Sequence, residues 1–400
     1  MNKTTKWKEQ PFCWPKGYHS DAVHAGLRYR KLDLGWVLSD VAANAAGVYT
    51  TNKICAAPTL LTKQLVKKTQ QLQAVVINSG FANACTGEQG VKDVYLEQQW
   101  VAEKLGISPE LVGVASTGLI GTPLPMDKMQ QGIAKLEKNQ NDLITQAILT
   151  TDTQTKTCCL HIEIEGKPCT ITGFAKGSGM IHPNMATMLA FVVTDCAIEA
   201  KTLQSLLSEL TEQTFNQITV DGDTSTNDMV LLMANGLASH QPINEQSTDY
   251  PVIKQAYQFM LTELAKMIAQ DGEGASKLIE VNVHGAKNVQ EARLAAKAIV
   301  GSSLVKSAVF GADPNWGRIL SSLGASQIHI DPTLIDVNIN QTPIVEKGQA
   351  AHFSTDAMSE ILKSAVIVID VFLHIGKAHG QAWGCDLTYE YVNINASYAT

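Results

Sequence analysis

The spacing of apolar and polar positions divides the chain into short strands and longer helices. Residues 28–40 carry Leu32, Leu34, Trp36 and Leu38 at every second position, the period of a half-buried strand. Residues 42–51 are rich in small side chains, and 52–58 end that segment. Apolar runs within 73–78 and 111–116 read as buried strands, and 91–105 between them has helical spacing. Residues 126–149 form a helical stretch with polar interruptions. Residues 158–165 alternate and pass through Lys167-Pro168 into 170–174, the pattern of a β-hairpin. A strand follows over 187–194, a helix over 198–213, a polar loop over 218–228 and an apolar run over 229–233. The spacing at 252–269 predicts an amphipathic helix, stopped by Asp271-Gly272-Glu273-Gly274. A strand over 277–283 and a helix over 289–299 lead to the loop ADPNWGR at 312–318. From Ile328 the tail is mostly strands, with one helix near 354–362. Residues 1–16 read as a loose polar lead-in. Strands and helices mix without strict βαβ alternation. That predicts an α/β (α+β) fold, a layered sandwich of mixed β-sheets and helices, rather than a doubly wound sheet.

Composition narrows the function classes. The 400 residues are 45% apolar and 17% charged, enough for a large core. A net charge of -7 lacks the basic footprint of a nucleic-acid binder. The eight cysteines form no C-x-x-C pair, which points to buried, reduced thiols in a reducing compartment. The polar start MNKTTKWKEQ has no apolar signal region. The apolar run 365–375 is too short to cross a bilayer and contains Asp370. These features predict a cytoplasmic protein with neither membrane nor nucleic acid as partner.

The candidate chemistry centres on KGSGMIHPNMATMLAFVVTD at 176–195. Gly177, Gly179 and Pro183 build a bend, and the apolar half builds a strand. Thr187 sits at the junction. By itself it reads as the first residue of a strand. A threonine hydroxyl needs a base to act as a nucleophile, and a threonine at a chain N-terminus carries one in its own α-amine. Thr187 is internal, so that chemistry requires cleavage of the Ala186-Thr187 bond. Thr117-Gly118 ends a strand and offers backbone N–H groups and a hydroxyl to an oxyanion, although such a tripeptide is commonly a plain exit to a loop.

No metal or cofactor motif appears. The acidic spacing D-G-D-T-S-T-N-D at 221–228 does not fit an EF-hand and reads as a hydrogen-bonded loop or a site wall. His374 and His379 give little support for a metal site. Lys176-Gly177-Ser178-Gly179 is not a P-loop.

Seven segments taken together resemble one family: SGFANACTG at 79–87, STGLIG at 116–121, TTDT at 150–153, KGSGMIHPNMATML at 176–189, TVDGDTSTND at 219–228, DGEGASK at 271–277 and GADPNWGR at 311–318. Their order and spacing are similar to those of the ornithine acetyltransferase, or glutamate N-acetyltransferase, family of arginine biosynthesis. The resemblance runs from about Gly17 to the C-terminus.

The resemblance implies a self-processing fold of the N-terminal-nucleophile type. The precursor would cut itself between Ala186 and Thr187 into a 1–186 α chain and a 187–400 β chain, paired as a heterotetramer of two α and two β chains. Thr187 would take acetyl from N2-acetyl-L-ornithine and pass it to L-glutamate in a ping-pong cycle. Thr117 and Gly118 would form the oxyanion hole. Substrate contacts would fall on Thr150, Lys176, Thr187, Glu273, Asn395 and Thr400, with Thr151 as an alternative to Thr150. Lys176 suits a substrate carboxylate, and Glu273 suits the ornithine ammonium. No resident cofactor is implied. Some members also use acetyl-CoA as co-substrate, and no residue pattern here decides that. The rival readings are a self-processing amidohydrolase or aminopeptidase of related fold, and an uncleaved binding protein.

Overall fold

The computed structural model describes residues 7–182 and 188–397. Ten strands fall in the first two-thirds of the chain. They are β1 (Trp7–Glu9), β2 (Tyr18–Val23), β3 (Leu34–Tyr49), β4 (Gln71–Asn78), β5 (Val112–Ser116), β6 (Lys156–Ile164), β7 (Lys167–Lys176), β8 (Leu189–Thr194), β9 (Ile218–Thr219) and β10 (Met229–Ala234). Six more follow: β11 (Leu278–Ala286), β12 (Asp336–Ile339), β13 (Thr342–Glu346), β14 (Gln349–Ala350), β15 (Val366–Phe372) and β16 (Ala378–Cys385). The helices are α1 (Ala57–Thr69), α2 (Gly87–Leu105), α3 (Met126–Lys135), α4 (Ile144–Ala147), α5 (Ala200–Thr211), α6 (Tyr250–Gln270), α7 (Val289–Gly301), α8 (Ser303–Phe310), α9 (Trp316–Gly324), α10 (Thr355–Ile361) and α11 (Tyr389–Ser397).

Two mixed sheets result. The nine-stranded sheet runs β1-β6-β7-β8-β10-β3-β4-β5, with β2 paired to β3. The seven-stranded sheet runs β14-β13-β12-β15-β11-β16-β9. Helix α6 lies between them. Its Met260, Leu264 and Ile268 share one core with Ile171 of β7, Val192 of β8, Leu278 of β11 and Trp383 of β16. The opposite face of the large sheet has its own core, where Leu189, Phe191 and Val193 meet Val75 and Ile77. Successive side chains of β8 therefore feed two different cores, as the period of a strand requires. The outer face of the smaller sheet is covered by α7 and α9. This is the layered sandwich of mixed sheets and helices expected from the sequence.

Strands from before and after residue 186 are interleaved. β8 and β10 are inserted between β7 and β3, so a cut at 186/187 would leave two pieces that share one sheet. Such pieces are not separate domains.

Several expected elements are corrected. The lead-in 1–16 is not wholly loose: Trp7–Glu9 pairs with β6, and the Trp14 indole N–H donates to the Asn141 carbonyl at 2.8 Å. The first long strand runs on to Tyr49, because its far half pairs with β10 in the sheet and α5 packs on it. The segment after Pro58 continues as α1, with the proline in the first helical turn, where its missing N–H costs nothing. The stretch 126–149 breaks into α3 and α4, with Leu136 extended. The hairpin turns at Glu165-Gly166, both left-handed at φ 52° and 73°, and Pro168 already pairs with Glu163. Helices α8, α9 and α11 stand where loops or strands were expected.

Candidate active site

Strand register brings four chain segments to one point. Lys176, the last residue of β7, lies opposite Leu189, the first of β8. Leu189 pairs with Met229 of β10, which pairs with Tyr49 of β3. The Met229 amide donates to the Met188 carbonyl at 3.0 Å. The chain therefore leaves the sheet at Lys176 and re-enters beside it at Leu189. Residues 183–187, which include Ala186 and Thr187, lie outside the described residues.

Thr117 and Gly118 form one wall. The Thr117 amide donates to the Asn78 carbonyl at 2.9 Å, so one of the N–H groups expected for an oxyanion is already used. Its hydroxyl and the Gly118 N–H remain, and the latter has no partner among the described residues. Gly118 has φ of 119°, and a Cβ there would meet the Gly80 carbonyl oxygen at 2.4 Å. Only glycine fits. Asn78 holds the facing loop: its Oδ1 accepts from the amides of Gly80 and Phe81 at 3.2 and 3.0 Å.

Lys176 is buried, and its ammonium donates to the Thr117 hydroxyl at 3.5 Å. Burial pulls Lys176 below the usual lysine range, against the opposing pull of Asp152, Asp228 and Glu273. A substrate carboxylate beside it would raise it again. Behind it lies a buried ion cluster. Lys156 Nζ donates to Asp152 at 2.7 Å and to Asp271 at 2.5 Å. Asp152 also accepts from the Gly177 amide at 2.6 Å and the Thr150 amide at 3.0 Å. Burial would push the Asp152 carboxyl up, but Lys176, Lys156 and the Gly177 amide hold it down to about 2. Arg28 steadies the same loop by donating to the Thr150 carbonyl at 3.1 Å.

The third wall comes from the loop after α6. The Glu273 amide donates to the Ser178 carbonyl at 3.0 Å. Gly179 faces the Glu273 side chain so closely that a Cβ would sit 2.3 Å from its carboxylate carbon. Asn395 of α11 donates from Nδ2 to Glu273 Oε2 at 2.8 Å. Helix α11 is placed by the Thr388 hydroxyl, which donates to the Gly274 carbonyl at 2.7 Å.

The acidic loop 221–228 forms the fourth wall. Asp221 accepts from the Met180 and Ile181 amides at 2.7 and 2.8 Å, and burial raises its carboxyl above the usual range. Asn227 ties the loop to the large sheet by donating to the carbonyls of Ala82 and Ser116 at 2.6 and 2.8 Å. The carboxylate of Asp221 thus serves backbone amides, as a site wall does. Burial and the Lys297 ammonium pull His182 down to about 4, which leaves it neutral at neutral pH. A soft metal could in principle use Cys169, Cys196 and His240, whose ligand atoms lie within 4.8 Å of one another. That group sits at the other end of β7 from Lys176, and His240 Nε2 already accepts the Ala197 N–H at 3.1 Å.

These walls enclose a cavity of about 280 Å³. Of the expected site residues, Thr117, Gly118, Thr150, Lys176, Glu273 and Asn395 all line it, as does Thr151. Thr400, like Ala186 and Thr187, lies outside the described residues. Asp152, Lys156 and Asp271 were not singled out from the sequence. Asp152 and Asp271 were marked only by membership in the TTDT and DGEG segments, and Lys156 lies outside both.

A profile of the ArgJ family matches residues 19–400. The chain belongs to the ArgJ family. Within the ArgJ family it is 54% identical over 396 residues to the arginine biosynthesis bifunctional protein ArgJ of Lactiplantibacillus plantarum, covering 99% of this chain and 98% of that protein. It is 53% identical over 387 residues to the ArgJ of Staphylococcus epidermidis, covering 96% and 98%. A crystal structure of the ArgJ of Bacillus halodurans matches with 50% identity and a TM-score of 0.52, covering 53% of this chain and 100% of that chain.

Proposed function

We propose that the chain is an acyltransferase of arginine biosynthesis. It moves acetyl from N2-acetyl-L-ornithine to L-glutamate and yields L-ornithine and N-acetyl-L-glutamate. The observation that carries this reading is that Thr117, Gly118, Lys176, Glu273 and Asn395 line one cavity beside Met188, the residue after Thr187. Family membership over residues 19–400 supports it.

The nucleophile is Thr187, freed by cleavage after Ala186. The α-amine takes the hydroxyl proton as the oxygen attacks the acetyl carbonyl. The oxyanion that forms accepts from the Thr117 hydroxyl and the Gly118 N–H, donors aimed where charge develops. Ornithine leaves with the proton, and an acetyl ester stays on Thr187. The glutamate amine then attacks the ester, and the same donors serve again. Lys176 pairs with the α-carboxylate of each substrate. Glu273 meets the ornithine ammonium, Asn395 orients Glu273, and Thr150 and Thr400 complete the contacts. The Bacillus halodurans chain is matched over its whole length by 53% of this one. Residues 187–400 are 214 of 400, a similar share, which supports two pieces.

Among the described residues no helix is long and apolar enough to cross a membrane. The enzyme works in the cytoplasm as a heterotetramer of two α and two β chains. The relatives are named bifunctional, which supports acetyl-CoA as a second donor to glutamate. Incubation with N2-acetylornithine alone, followed by mass spectrometry, tests the mechanism. The expected product is a peptide that begins at Thr187 and is one acetyl group heavier. An acetyl group on another residue, or a full-length uncut chain that remains active, would refute it.

A further inference from the structure

Two of the eight cysteines touch across the edge of the large sheet, away from the cavity. The Cys13 and Cys159 sulfurs are 3.7 Å apart. Cys159 lies in β6 and is 3% exposed, whereas Cys13 follows β1 and is exposed to solvent. The side-chain Nε2 of Gln10 spans the pair, donating to Cys13 Sγ at 3.2 Å and to Cys159 Sγ at 3.4 Å. The Thr172 hydroxyl lies 3.2 Å from Cys159 Sγ and donates to the Cys13 carbonyl. The two thiols are therefore held together by two neighbouring side chains, Gln10 and Thr172, although 146 residues separate them in sequence.

We propose that Cys13 and Cys159 are a modification site: a hydroperoxide oxidises them to a reversible disulfide that fastens the N-terminal strand to the sheet. The exposed Cys13 sulfur attacks the peroxide, the O–O bond breaks, an alcohol or water leaves, and Cys13 becomes a sulfenic acid. The Cys159 sulfur then attacks the Cys13 sulfur, the S–O bond breaks and water leaves. Two thiols are oxidised and one peroxide is reduced, so atoms and electrons balance. A disulfide needs the sulfurs at about 2.05 Å. The movement falls on Cys13, which lies outside any strand, while Cys159 is fixed in the β6–β7 ladder.

The environment also sets the rate. Burial and the neighbouring Cys159 sulfur push the Cys13 thiol up to about 11. The reactive thiolate is scarce at neutral pH, and closure quickens about tenfold per pH unit below that value. The bond would hold an otherwise short attachment: β1 pairs with β6 over only three residues. Cys55 and Cys85, the other thiols with surface access, have no such partner sulfur among the described residues.

The test treats the folded, full chain with hydrogen peroxide, blocks the remaining thiols under denaturing conditions and counts them. The expected count falls from eight to six. Peptide mapping should find the Cys13 and Cys159 peptides joined and two hydrogens lighter, and dithiothreitol should restore all eight. Cys13→Ser, a change at an exposed position, should keep its remaining thiols and form no cross-link. Cys85→Ser should still form the link. The proposal is overturned if Cys13 is driven to sulfinic acid without a link. It is equally overturned if the joined peptides involve other cysteines, or if Cys13→Ser loses two thiols as readily as the unaltered chain.

Discussion

Asn395 Nδ2 donates a 2.8 Å hydrogen bond to Glu273 Oε2, joining residues 122 positions apart. Through this contact the last helix of the chain closes over the cavity. Helix α11 buries none of its own residues. Its removal should therefore leave the fold intact and damage the site. A hydrogen bond to a charged group is worth roughly 1.5–3 kcal/mol. Asn395→Ala should raise KM for N2-acetylornithine by about tenfold or more, with an unchanged melting temperature. A matching loss of melting temperature would show that α11 is structural instead.

Gly118→Ala should nearly abolish transfer. The added Cβ would collide with the Gly80 carbonyl at 2.4 Å and would require a φ of 119° from a residue that avoids it. Thr117→Val, which exchanges the hydroxyl for a methyl of similar size, should lower kcat by about a hundredfold, with KM little changed. Steady-state kinetics of the two variants check this. Equal effects of Thr117→Val on kcat and on substrate affinity would contradict an oxyanion role.

The large elements were legible because burial writes a period into the sequence. Residues 158–165 alternate because one face of β6 meets α6. Residues 252–269 repeat every three or four positions because α6 is buried between two sheets. The far half of β3 carried no such contrast. Its Ala and Gly residues lie where α5 comes close, with the Gly47 N–H donating to Gln204 Oε1 of α5 at 3.1 Å. Helix α11 was illegible for the opposite reason: with nothing buried, its sequence has no apolar stripe. In the site, Thr117-Gly118 looked like any strand exit. The φ of Gly118 and its approach to Gly80 depend on a segment nearly forty residues away. The ion cluster was hidden for the same reason, since Lys156 and Asp271 are 115 residues apart.

That cluster carries a pH signature. Asp152 has a folded value of about 2 against an ordinary 3.8. The folded protein binds this proton less readily than the unfolded chain. The contribution, roughly 2 kcal/mol, is therefore fully present above pH 4 and is lost as pH falls through about 2. Asp152→Asn should remove that acid-side slope. It should also lower stability at neutral pH by about 3 kcal/mol or more, because Lys156 loses one of its two buried partners. Urea unfolding at a series of pH values measures both effects. An unchanged acid limb would contradict the role given to Asp152.

Thr187→Ala should remain a single 400-residue chain on denaturing electrophoresis and should transfer no acetyl. Thr187→Ser keeps a hydroxyl and should still cut, more slowly. Efficient cleavage of the alanine variant would remove Thr187 as the nucleophile.

Acetyl transfer, as opposed to hydrolysis, is tested most directly by ornithine release from N2-acetylornithine with and without glutamate. A transferase with an ester on Thr187 gives one rapid turnover without glutamate and sustained release with it, matched by equal N-acetylglutamate. Fast, sustained release that ignores glutamate would mean that water is the acceptor, and the transferase reading would fail.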